Sequence, residues 1–240
     1  MFPIRTNVPT RHEAFLTWAI IGANVLIFLY EESLSPSEQA ALLYHFALLP
    51  ARYQDSSAGL SAYWPLLTST FLHGGWLHLI VNMWALALFG PAIEDRLGHA
   101  RFGIFYLFCG VMGSLAHVAL SSGSNVPVLG ASGAIAGVLG SYTLLFPFAR
   151  VIVLVPVLFL PLFFSIPAII FTLLWFATQL FSGLVEYFVP EGAAGVAWWA
   201  HVGGFLAGLL VTPPLLLSNR LRRAYHGDEG VLGFAPPRWR

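Results

Sequence analysis

Residues 129–146 read Leu-Gly-Ala-Ser-Gly-Ala-Ile-Ala-Gly-Val-Leu-Gly-Ser-Tyr-Thr-Leu-Leu-Phe, without one charged side chain. The run is close to the roughly 20 apolar residues that cross a bilayer as a helix. Ser132 stands near its start, and a second apolar run, Val196–Leu217, holds His201 within Ala200-His201-Val202-Gly203-Gly204. A hydroxyl and an imidazole are costly in hydrocarbon, and such groups turn towards a protein interior or a water-filled cavity. Serine with histidine is also the smallest set that supports nucleophilic catalysis. Fold and function therefore hang on one question, whether the chain brings the two side chains together on one side of a membrane.

Composition identifies the solvent. Hydrophobic residues make up 58% of the chain and charged residues 9%, with a mean hydropathy of +0.76; soluble domains carry about one quarter charged residues. The reading is an all-α polytopic membrane protein. A net charge of zero supplies no concentrated basic face and excludes nucleic-acid binding. Cys109 is the single cysteine, which excludes a disulfide and a cysteine metal cluster. The first apolar run, Ala14–Tyr30, is long and ends in no small-x-small site, so a cleavable signal peptide is not expected.

Run length gives six spans: Phe15–Tyr30, Trp76–Ile93, Phe102–Leu120, Leu129–Phe146, Ile166–Tyr187 and Val196–Leu217. Residues 1–14 form an N-terminal segment, 15–217 the membrane domain and 218–240 a C-terminal tail. The apolar stretch Val151–Ser165 competes as a seventh span, but Pro156 and Pro161 break it and Pro167 follows it, and it is read as a membrane-embedded loop. Charge tests the count independently. The chain has no lysine, and arginines should face the cytoplasm. With six spans and both termini inside, Arg5, Arg11, Arg96, Arg101, Arg150, Arg220, Arg222, Arg223, Arg238 and Arg240 are cytoplasmic, leaving Arg52 outside. A seventh span would destroy this partition.

The same topology sets the polar residues at one depth. His78 and Asn82 fall in the outer half of span two, and their i, i+4 spacing puts both on one helix face. Ser132 lies in the first turn of span four, and His201 lies near the outer end of span six. Gly133 and Gly137 form a small-xxx-small pair, as do Gly204 and Gly208 together with Ala200. Gly204 and Gly208 share the His201 face, so close approach of spans four and six would bring Ser132 and His201 into hydrogen-bond reach. In that arrangement His201 is the general base for Ser132. The Ser132 amide, free of an intrahelical partner, joins Asn82 and His78 as donors for an oxyanion. No Asp lies in a span and glutamates occur only at span ends, so the expected machinery is a dyad with no metal or cofactor. Asn24 and Gln179 are read as ties between helices, and His117 as a packing or hydrogen-bonding residue of span three.

Gly130-Ala131-Ser132-Gly133 resembles the GxSG motif of rhomboid intramembrane serine proteases. His78-Leu79-Ile80-Val81-Asn82 resembles their HxxxN motif, and Ala200-His201-Val202-Gly203-Gly204 their last-helix AHxxG. The likeness covers roughly residues 15–217. It implies a six-transmembrane-helix bundle with a long membrane-embedded first outer loop, Ser132 as nucleophile, His201 as base, and His78, Asn82 and the Ser132 amide at the oxyanion. His73 resembles a loop-ordering histidine of the family, and Glu94 a structural residue of its cytoplasmic side. In two places the chain departs from the pattern: Trp64 is followed by Pro65 where a Trp-Arg pair is common, and Ala136 stands where many members stack a tyrosine on the catalytic histidine. Trp198 or Trp199 is the expected replacement for that tyrosine.

The resemblance implies cleavage of single-span transmembrane proteins near the outer membrane face, with lateral access past span five. A buried peptide bond is protected by its own helix, so substrates with weak helix formers at that depth are favoured. The expected location is the bilayer of a bacterial cytoplasmic membrane. A catalytically inactive rhomboid-like chaperone or trafficking protein is the alternative within the fold. A metal-dependent hydrolase using His73, His78 and His201 lacks HExxH and a nearby carboxylate ligand, and a transporter would show repeated halves and broken helices. Oligomeric state is not readable from the chain.

Overall fold

A computed structural model describes residues 2–54, 59, 63–157, 160–188 and 195–217. The C-terminal tail with its five arginines, and Asp55 and Glu191 of the outer loops, lie outside the described residues. In chain order the elements are β1 (Phe2–Thr6), α1 (Phe15–Ser33), α2 (Pro36–Phe46), α3 (Pro65–Thr68), α4 (Trp76–Leu97), α5 (His99–Leu120), α6 (Ser132–Leu145), β2 (Arg150–Val157), β3 (Leu160–Pro167), α7 (Ala168–Glu186) and α8 (Trp198–Leu217).

Among the described residues five helices, α1, α4, α5, α7 and α8, are long and apolar enough to cross a membrane. Their outward faces carry Phe15, Trp18, Leu26, Ile104, Phe181 and Leu210, all exposed, whereas Thr17, Asn24, Ser141, Thr172 and Thr212 are buried. Large apolar side chains outside and hydroxyls inside suit a hydrocarbon solvent. The hydroxyls bond across helices. Thr143 Oγ1 donates to Thr172 Oγ1 at 2.8 Å, joining α6 to α7, and Thr212 Oγ1 donates to Ser141 Oγ at 2.9 Å, joining α8 to α6.

The fourth expected span is shorter as a helix than its apolar run. α6 begins at Ser132 and has 14 residues, a length of about 21 Å against a hydrocarbon core of about 30 Å. Twelve of those residues are buried, because α6 stands inside the bundle against α4, α5, α7 and α8. A helix wrapped by protein has no need to match bilayer thickness.

Glycine makes this packing possible. A methyl group on Gly204 would collide with the Gly133 carbonyl, and one on Gly208 with the Gly137 carbonyl. Where α5 meets α8, a Cβ at Gly113 would stand 2.6 Å from the Ala200 carbonyl oxygen and 3.4 Å from the Cα of Gly133 of α6. Backbone therefore rides on backbone where α5, α6 and α8 meet.

The stretch expected as an irregular loop is instead a β-hairpin, β2–β3, and the N-terminal segment supplies a third strand in the order β1-β2-β3. The valine-rich alternation of Arg150–Val157 suits a strand, and Val151 and Val153 are buried in the bundle core. The prolines that break a helix are tolerated here by position. Pro156 pairs with Pro161 beyond Leu154, the last residue that β1 reaches, so neither removes a bond from the three-stranded part. The sheet packs on α4 and α7, and Trp84 Nε1 donates to the Pro3 carbonyl at 2.7 Å.

At the end of the bundle away from Ser132, buried carboxylates fasten α1. Glu94 accepts from the Leu16 and Thr17 amides at 2.8 and 2.7 Å, from Thr17 Oγ1 at 2.6 Å, and also bonds the His99 ring. Asp95 accepts from the Arg11 and His12 amides. The first amides of a helix have no intrahelical acceptor, and these side chains supply one from α4. Asn24 makes no comparable tie; its Nδ2 bonds Ile20 of its own helix at 2.8 Å.

Candidate active site

Ser132 is the first residue of α6, so its amide has no carbonyl one turn back to bond. The chain reaches it through Gly130, at φ +129°, where a Cβ would stand 2.7 Å from the His78 imidazole. Only glycine suits that backbone and that contact. The Gly130 amide is held by the Ser69 carbonyl at 2.9 Å. Backbone geometry and crowding thus set the serine against α4.

From α8, His201 points at the serine, with Nε2 2.7 Å from Ser132 Oγ. On the far side of the ring, Nδ1 lies 2.7 Å from Gln179 Oε1 of α7. Both His201 and Gln179 are buried. Trp175, one turn before Gln179, lies over the imidazole with ring centres 5.8 Å apart and planes tilted 34°, and Trp198 meets it edge-on at 6.1 Å. Of the two tryptophans expected on this ring Trp198 is there, and Trp175 packs on it as well. Trp199, the other expected partner, packs on Tyr187 and Gly183 instead.

Asn82 and His78 reach the same place from α4. A Cβ on Gly130 would lie 3.6 Å from Asn82 Nδ2, and that Nδ2 is buried with no hydrogen-bond acceptor among the described residues. A buried amide donor gains about 1–3 kcal/mol when it is paired, and this one belongs to the wall of the cavity that Ser132 also lines. The structure brings together all four residues singled out from the sequence. They line one cavity of about 1060 Å³, whose wall also includes His117 and Glu186.

Above α4, the loop is tied to α1. Glu31 accepts from the His73 amide at 3.2 Å and Glu32 from Trp76 Nε1 at 3.1 Å. The His73 ring makes no such tie: it is buried edge-on to His78, ring centres 5.2 Å apart, with neither nitrogen in a hydrogen bond of good geometry. Burial, and next the neighbouring His78, push its pKa down from 6.5 to about 4, against a weaker pull from the Phe71 backbone. The folded chain thus binds this proton less readily than the unfolded chain. Stability from His73 is fully present above pH 6.5 and is lost as pH falls towards 4, by roughly 3 kcal/mol. Thermal unfolding of wild type and His73→Asn across that range checks it: the wild type should lose stability relative to the variant on acidification, and parallel curves would refute the assignment.

Gln179 and Trp175 are the site residues that the sequence reading did not assign to the histidine. An amide inside an apolar span was visible as a costly polar group. Which helix face it occupies depends on how α7 is turned against α8, and no motif signals that.

Together, the bundle and its cavity define a class: a polytopic helical membrane protein that holds a serine–histidine pair at the start of a buried central helix. Residues 60–218 match the rhomboid domain, and the chain belongs to the rhomboid family. It is 37% identical over 112 residues to the putative rhomboid protease YdcA of Bacillus subtilis, covering 42% of this chain and 56% of that protein. To the human mitochondrial presenilin-associated rhomboid-like protein it is 34% identical over 199 residues, covering 79% of this chain and 45% of the relative. The rhomboid protease GluP of Bacillus subtilis is 35% identical over 125 residues, 52% of this chain and 23% of that protein. The chain spans at most a little over half the length of these relatives.

Proposed function

We propose that the chain is an intramembrane serine endopeptidase that cuts transmembrane segments of other membrane proteins. The observation that carries the reading is the 2.7 Å contact between Ser132 Oγ and His201 Nε2, in a cavity that Asn82 and His78 also line. In the proposed reaction Ser132 Oγ attacks the scissile carbonyl and its proton passes to His201 Nε2. The carbonyl electron pair moves onto oxygen, where Asn82 Nδ2, the Ser132 amide and His78 receive the negative charge. Collapse of that intermediate expels the amine, which takes the proton from His201. Water, deprotonated by His201, then attacks the acyl-serine and releases the second product by the same route in reverse.

Six membrane crossings, α6 included, with both termini cytoplasmic make Ser132 open towards the outer side; the arginine partition supports this orientation. Cleavage is then near the outer face of the substrate. Since the substrate helix must unwind to expose a peptide bond, segments with glycine or proline at that depth should be preferred over Leu/Ala segments. A bacterial cytoplasmic membrane is the proposed location, supported by the two Bacillus subtilis relatives.

The test is a single-span reporter co-reconstituted with the chain in liposomes, read by mass spectrometry of the fragments, together with a fluorophosphonate probe. The expected result is one cut in the outer half of the reporter span and one phosphonylated residue, Ser132. A chain that binds the reporter, leaves it intact and takes no probe would be the non-catalytic rhomboid-like protein instead.

A further inference from the structure

His201 offers its two nitrogens to two different neighbours, and the neighbours are chemically unequal. Ser132 Oγ can donate or accept. Gln179 presents a carbonyl oxygen, which only accepts. The orientation of that amide is fixed by its other end: Gln179 Nε2 donates to the Trp175 carbonyl at 3.2 Å and to Thr178 Oγ1 at 3.0 Å. Turning the amide over would set its oxygen against the Trp175 carbonyl oxygen and its NH₂ against the ring nitrogen. The oxygen therefore stays on His201 Nδ1, which must carry the proton to make the 2.7 Å bond. A neutral imidazole has one N–H, so Nε2 is left with its lone pair facing the Ser132 hydroxyl at 2.7 Å.

We infer that Gln179 is a positioning residue that selects the Nδ1–H tautomer of His201 and so makes Nε2 the proton acceptor. The inference rests on the serine-protease reading of the site. Gln179 is not among the residues that line the cavity; it acts through the imidazole, in the place that a carboxylate holds in a Ser-His-Asp triad. Being neutral, it orients the ring without presenting an unpaired charge to the bilayer interior, where a buried carboxylate would be expensive. Trp175, one turn earlier on α7, covers the ring face from the same helix, so one helical surface sets both the tilt and the tautomer of the base.

The experiment uses the full chain in liposomes with the single-span reporter, comparing wild type, Gln179→Leu, Gln179→Met and Gln179→Glu. Nitrogen-15 spectra of histidine-labelled protein report the tautomer of His201 independently of activity, and His201→Gln identifies its signals. Wild type should show a protonated Nδ1 and a lone-pair Nε2. Gln179→Leu and Gln179→Met, both suited to an apolar helix, should lose that preference, with kcat down about 10- to 100-fold as for other residues that orient a functional histidine, and KM little changed. Gln179→Glu supplies an acceptor again and should restore the Nδ1–H signal and most of kcat. Leu and Met variants that keep wild-type kcat, or keep the Nδ1–H signal, would overturn the inference while the protease reading survives. A wild type that cuts no reporter would overturn both.

Discussion

Alanine at Ser132, or at His201, should lower reporter cleavage at least about 10⁴-fold, and the double variant should be no slower than either single one. In the proposed reaction the two groups form one device. With Oγ and Nε2 2.7 Å apart, removal of the histidine leaves a neutral hydroxyl with no acceptor for its proton, and removal of the serine leaves a base with nothing to activate. Members of such a unit are strongly non-additive. A factor of 10⁴ corresponds to about 5.5 kcal/mol of transition-state stabilisation, far above the expected effect at Gln179, so the ranking itself is testable. Rates come from fragment formation in liposomes, and thermal unfolding confirms that each variant is folded. Ser132→Ala should also lose all fluorophosphonate labelling. If His201→Ala kept a rate within tenfold of wild type, the proton would have to go elsewhere, and His78 and His117 on the same cavity wall are the groups to vary next.

Different parts of this molecule were legible in the sequence to different degrees, for physical reasons. Long apolar runs fix helices because the bilayer demands internal hydrogen bonding, and α1, α4, α5, α7 and α8 follow that rule. Ser132, His201, His78 and Asn82 stood out because a polar side chain in such a run is costly unless it has a use. The sheet did not stand out. Arg150–Val157 is an apolar run that periodicity cannot assign to helix or strand, and its partner, Phe2–Thr6, lies far away in the chain. Glu94 could be read as structural, but not as the acceptor for Leu16 and Thr17, since that depends on where α1 meets α4. Gln179 shows the same divide: its presence in an apolar helix was readable, whereas the imidazole it bonds is a matter of helix rotation.

Asn82→Ala should separate catalysis from stability. Its Nδ2 is buried, 3.6 Å from where a Cβ on Gly130 would stand, with no acceptor among the described residues, so the fold itself gives that donor no protein partner. Removing a typical buried hydrogen-bonding side chain strips its partner of a bond and lowers stability; here there is no partner on Nδ2 to strip. The alanine variant should therefore unfold within a few degrees of wild type. Activity should respond very differently. If the scissile carbonyl becomes an oxyanion within reach of Nδ2, losing that donor should lower kcat about 10²–10³-fold, or about 2.7–4 kcal/mol. Because the ground-state carbonyl gains less from that donor than the oxyanion does, the loss should fall on kcat while KM changes little. Phosphonylation of Ser132 passes through a similarly charged intermediate and should slow as well. An Asn82→Ala chain that unfolds far below wild type, or cleaves within fivefold of it, would show that the amide holds the bundle together and does not serve the oxyanion.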